Sequence, residues 1–109
     1  MFDASGAALK TVAFERRELD AILSVYGRMV AAGAWKDYAI DMLKDRAVFS
    51  VFRRAAEAPT YRIEKVPALA RKQGAYAVVG QDGRILKRGR ELDQALKVFE
   101  RAHLKVVGD

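Results

Sequence analysis

The chain has 109 residues, 51% of them hydrophobic, and no cysteine. It carries 20 Lys/Arg against 14 Asp/Glu, a formal net charge of +6. That is one domain with enough apolar side chain for a core, and it excludes disulfides, thiolate metal sites and cysteine nucleophiles.

The opening MFDASGAALK has neither the basic start nor the apolar run of a signal peptide. No stretch nears the roughly 20 apolar residues needed to span a bilayer. Residues 1–9 are expected to be flexible and residues 10–109 to form a single domain in the cytoplasm. The charge is uneven. Residues 44–90 hold 12 Lys/Arg against 4 Asp/Glu, a net of +8. Such a segment either steers anions toward it or simply keeps its surface wet.

Thr11 to Phe14 could form a short strand. In ERRELDAILSVYGRMVAAG, residues 15–33, Leu19, Ile22, Leu23, Tyr26, Met29 and Val30 recur at three- and four-residue steps. That is one stripe of an α-helix. Glu15 and Glu18 suit its N-terminal dipole, and Gly33 is placed to end it. Gly27, unfavourable in a helix, suggests close approach of a sheet beneath. From Trp35 the period becomes two. Tyr38, Ile40 and Met42 share one face of DYAIDML, with Asp41 on the other. Lys44-Asp45-Arg46 is a turn or a polar interruption. In RAVFSVFRR both faces are apolar, which predicts a central strand. AAEAP is a connection, and TYRIEKV sets Tyr61, Ile63 and Lys65 against Arg62, Glu64 and Val66. PALARKQG reads as a loop or single helical turn. AYAVV and RILKR are two more strands, and the GQDG between them is a hairpin signal. RELDQALKVFERAH is a second helix with the stripe Leu92, Ala95, Leu96, Phe99 and Ala102. The order predicts an α+β fold: N-terminal helix, mostly antiparallel sheet of about five strands, C-terminal helix, with both helices on one sheet face. Phe49, Val51, Ile63, Val78 and either Leu86 or Ile85 should meet the helices.

The run from AFERREL to GRILKRGREL resembles an uncharacterised family of small alphaproteobacterial proteins catalogued as a domain of unknown function. The likeness spans roughly residues 11–100 and is most specific in YGRMVAAG, KDRAVFSVFRR and ARKQGAY. It implies a self-contained bacterial domain and brings no catalytic residue or cofactor with it. The C-terminal strand, QDG turn, strand and helix are also similar in layout to small DNA-associated modules named for a Trp-Gly-Arg motif, a tripeptide this chain lacks.

No catalytic constellation stands out. His103 is the one histidine, read as a residue near the end of the second helix. Ser5, Ser24 and Ser50 lie outside any nucleophile elbow. Asp37, Asp41 and Asp45 recur every four residues but lack the loop geometry and extra oxygen ligands of a cation site. Gly80, Gly83 and Gly89 do not fit a phosphate loop. Neither a metal, a cofactor nor an enzymatic activity is expected.

What remains is basic. Arg54, Arg62, Arg71, Lys72, Arg84, Lys87 and Arg88 fall on strands or on the loops joining them, as candidate contacts for nucleic acid or another polyanion. Tyr61 and Tyr76 alternate in phase with Ile63 and Val78. They therefore belong to the core side, which removes base stacking and leaves phosphate contact alone. Strand alternation requires either Lys87 or the pair Arg84 and Arg88 to point outward. The alternative is a protein-interaction or regulatory domain, a homodimer among its forms, with no catalysis. In that case Trp35 or Phe52 should be exposed on a sheet face the helices leave open.

Overall fold

The computed structural model describes residues 10–54 and 58–108, with side chains described to residue 100. The expectation for residues 1–9, and most of the AAEAP connection, lie outside that range. The elements are α1 (Arg16–Ala31), β1 (Asp37–Met42), β2 (Ala47–Phe52), β3 (Tyr61–Lys65), a 3-10 turn (Pro67–Leu69), β4 (Tyr76–Gly80), β5 (Ile85–Gly89) and α2 (Leu92–Gly108). The strands form one five-stranded antiparallel sheet in chain order. Each strand pairs with its neighbours in sequence, so the sheet is a meander.

Both helices cover the same face. Phe49, Val51, Ile63 and Val78 lie under them, joined by Ile22, Val25, Met29, Leu92, Ala95, Leu96 and Phe99. Trp35 closes this layer at its α2 side, edge-on to Phe99 with ring centroids 5.0 Å apart. The anticipated exposure of Trp35 is thus corrected: it is 2% exposed. Phe52 is half-buried on the uncovered face, one step out of phase with Val51. β2 is buried on both faces, as an interior strand should be.

Local chemistry sets the boundaries. Glu15 caps α1 through reciprocal bonds with Glu18. Gly33, at φ +81°, follows the C-cap Ala32 in the left-handed conformation glycine adopts cheaply. The β4–β5 hairpin closes with Gly83 N–H donating to Gly80 O at 3.0 Å, and Gly83 sits at φ +87°.

Several expectations are corrected. Thr11 to Phe14 is not a strand. Val12 N–H donates once, to Leu43 O at 2.8 Å, and Phe14 drops into the core. Nothing approaches Gly27, which lies on the solvent side of α1. The buried stripe of α1 is Glu18, Ile22, Val25 and Met29, leaving Leu23 and Val30 exposed. Ile85 and Leu86 are both exposed, because a bulge opposite Val78/Val79 lifts this edge strand out of regular phase. α2 runs on to Gly108, so His103 is not in its last turn.

Candidate functional site

The seven basic candidates do not gather on one surface. Arg62 and Arg88 stand on the uncovered face, opposite Ser50 and Ala77 respectively. The Arg62 guanidinium is engaged: its Nε donates to Glu64 Oε2 at 3.3 Å, while Arg46 Nη1 donates to Oε1 at 2.9 Å. Glu64 thus holds two arginines across the middle of the open face. Arg88 Nη1 donates to Gly74 O at 2.9 Å. Arg54 follows β2, and Arg84 lies in the β4–β5 hairpin, 3.8 Å from Asp82. Both are at one end of the sheet. Arg71 and Lys72 are exposed on the β3–β4 connection, at the opposite end. A five-residue strand separates the ends by about 17 Å. Lys87 pairs with Val78 in the helix-side row. The bulge therefore also breaks the shared phase expected of Arg84 and Arg88.

A polar cluster that sequence reasoning passed over lies under the start of α1. Glu18 is 5% exposed. Its Oε1 accepts from Lys65 Nζ at 2.8 Å and from Glu15 N–H at 2.7 Å, and its Oε2 accepts from the Tyr76 hydroxyl. Lys65 also donates to Ala13 O at 2.9 Å. Burial alone would raise the Glu18 carboxyl, but the bonds from Lys65, Tyr76 and the Glu15 amide together hold it below its ordinary value. Burial, then the bond to Glu18, pushes the Tyr76 hydroxyl well above its own. One signal was present in the pattern: Lys65 is in phase with Tyr61 and Ile63. That Glu18 joins the buried stripe of α1 was decided by the rotation of the helix. Beside the cluster is a shallow cleft of about 180 Å³, lined by Arg17, Glu18, Ala21, Tyr76, Glu91, Leu92 and Asp93. Both carboxylate oxygens of Glu18 are already taken, so the cluster ties α1 to β3 and β4 and offers no free base.

The third feature is apolar. Leu23, Val30, Tyr38, Met42 and Leu43 are 37–54% exposed, and among the described residues they make up five of the seven exposed large hydrophobics. They share one margin of the molecule. Tyr38, Ile40 and Met42 belong to β1, an outer strand exposed along nearly its whole length. Leu23, Tyr26 and Val30 run along the flank of α1 turned away from the α2 groove, which is bordered by Ala21, Ser24, Val25 and Arg28. Tyr26 joins the two elements, edge-on to Tyr38 with centroids 5.0 Å apart.

Among the described residues no helix is long and apolar enough to cross a membrane, and no group of three or more His, Cys, Asp or Glu could hold a metal ion. No curated protein and no solved structure matches the chain. Residues 12–96, spanning the fold from the segment before α1 to the second turn of α2, match the family described as "Protein of unknown function (DUF2794)". The chain belongs to that family.

Proposed function

We propose that this domain is a protein-interaction module without catalysis of its own, and that its contact surface is the β1 edge with the outer flank of α1. The clustering of Leu23, Val30, Tyr38, Met42 and Leu43 on one margin carries this reading. Single exposed apolar residues are ordinary on any protein, whereas a contiguous patch of several hundred Å² marks an interface. An outer strand adds a row of backbone donors and acceptors to that patch. The test is a photo-activated cross-linking residue placed at Met42 in cells, with Gln81 in the distal hairpin as control. A discrete protein adduct from Met42, lost on Leu23→Lys and never formed from Gln81, is the expected result. No adduct from Met42 would sink the reading.

A second reading is phosphate contact through Arg54, Arg62, Arg71, Lys72, Arg84, Lys87 and Arg88. Its support is that Arg71, Lys72 and Lys87 are exposed and form no ion pair with the described residues. Binding of this kind would be weak, indifferent to sequence and steeply salt-dependent. Fluorescence anisotropy with a short oligonucleotide should then show binding at about 50 mM salt. Reversing charge at Arg71 and Lys72 together should reduce it. No binding at that salt concentration would end this reading.

A further inference from the structure

In an antiparallel ladder, alternate residues of an edge strand turn their N–H and C=O groups inward, and the rest turn them outward. Leu43 N–H donates to Arg46 O at 2.8 Å, and the paired register continues in steps of two through Asp41↔Val48 and Ala39↔Ser50. Asp37, Ala39 and Asp41 therefore serve the ladder with β2. The backbone groups of Tyr38, Ile40 and Met42 face outward. The same three residues lie opposite Val51, Phe49 and Ala47, so their side chains are in the helix-side row. One set of residues thus supplies both the outward backbone groups and the uncovered apolar side chains.

We propose that a second copy of this chain docks antiparallel along β1, with Ile40 opposite Ile40 of the second copy and Tyr38 opposite Met42. The proposal rests on the protein-interaction reading and names its partner. A two-fold axis through Ile40, perpendicular to the sheet, keeps both helix layers on one side and joins the outward groups of both strands, the Tyr38 N–H exchanging its 2.9 Å bond to Asp37 Oδ1 for the facing strand. Charge excludes the two adjacent registers. Centring the pair on Ala39 instead would set Asp37 against Asp41, and centring it on Asp41 would set Asp41 against itself. Like charges directly opposite are destabilising. Centred on Ile40, each Asp41 meets an Ala39, while Tyr38, Ile40 and Met42 form a continuous apolar row with their counterparts.

The α1 flank completes the contact. Leu23 and Val30 lie about one turn either side of Tyr26, which already packs on Tyr38. Docking along β1 therefore brings the two flanks toward each other across the axis. Leu23, Val30, Tyr38 and Met42 on the helix side, with Leu43 on the other face of the same edge, present on the order of 400 Å² per copy. With the strand backbone, two copies reach the roughly 1,000 Å² that a specific interface requires. The other sheet edge is less suited to self-pairing. β5 carries the bulge, and self-pairing centred on Leu86, Lys87 or Arg88 would set Arg84 against Arg88, Lys87 against Lys87 or Arg88 against Arg88.

A chain without cysteine is a clean background for the test. Wild-type protein at tens of micromolar should sediment at twice the monomer mass, and Met42→Lys and Leu23→Lys should each shift it to monomer with unchanged circular dichroism. Under mild oxidation, Ile40→Cys should cross-link at least about tenfold faster than Tyr38→Cys or Met42→Cys, because directly opposite residues stand about 5.5 Å apart at Cα, within disulfide reach. Residue 38 and its counterpart are four residues apart along the strands, about 13 Å. A monomeric wild type, a dimer indifferent to both lysine substitutions, or equal cross-linking at all three positions would overturn the proposal. A monomer that still gives a heterologous adduct from Met42 in cells would leave the interaction-module reading standing. A monomer without any adduct would remove both.

Discussion

Glu18 has no room for an uncompensated charge, and that fixes how it responds to pH. Its pKa in the folded chain lies below the ordinary glutamate value. The stabilisation it provides is therefore complete above the unfolded value of about 4.3 and is lost as pH falls through the lower folded value. Tyr76 has the opposite sign. Its raised pKa means its contribution is complete below the ordinary tyrosine value of about 10 and fades as pH rises beyond it. A melting-temperature profile should be flat near neutrality and fall at both ends, and Glu18→Gln should flatten the acid limb. Glu18→Ala should cost about 3 kcal/mol in denaturant unfolding, the low end for breaking a buried pair, since Lys65 keeps some exposure. Unchanged acid sensitivity in Glu18→Gln would show that other carboxylates control that limb. Phe49 stands where β2 passes beneath α1, fully buried, stacked on Tyr38 and edge-on to Tyr26. Phe49→Ala should cost about 3–5 kcal/mol, and a loss under about 1 kcal/mol would place it outside the core.

Two glycines hold the elements at the far end of the sheet together. Gly74 sits at φ +104°, and a Cβ there would lie 2.5 Å from the backbone of Gly89. Gly89 must itself lack a side chain, because Gln94 folds over it to accept from the N–H groups of Arg90 and Glu91. The start of α2 is thus capped over a glycine that another glycine touches. Gly74→Ala combines a disfavoured φ with a backbone clash and should destabilise by at least about 2 kcal/mol. Loss of under about 0.5 kcal/mol would mean the strands part easily here. Neither contact was visible in ARKQGAY or KRGREL, because the partners are distant in sequence. The helices, the alternation in β1 to β4 and the QDG hairpin were legible, since each rests on a local period or a local turn. The rotation of α1 was not. Its apolar face is wider than one sheet contact can bury, and periodicity cannot say which edge of a wide stripe turns inward.

For the whole molecule, a dimer makes stability depend on concentration. The wild-type melting temperature should rise over a hundredfold increase in protein, and that of Met42→Lys should stay constant. A constant value for both would argue against self-association. The composition and periods of this chain determined an α+β domain with two amphipathic helices and a mostly antiparallel sheet of about five strands, since apolar spacing and turn chemistry act within a few residues. Charge counting located a basic central segment but could not say where its side chains end up. Only the folded sheet set Glu64 between Arg46 and Arg62, sent Arg54 and Arg71 to opposite ends, and let a bulge undo the phase of Arg84 and Arg88. The same holds for the apolar margin. Leu23, Val30, Tyr38 and Met42 read as core because they keep the right period. Whether a residue of the right period is covered depends on how far the opposing layer reaches, and two helices do not reach across five strands.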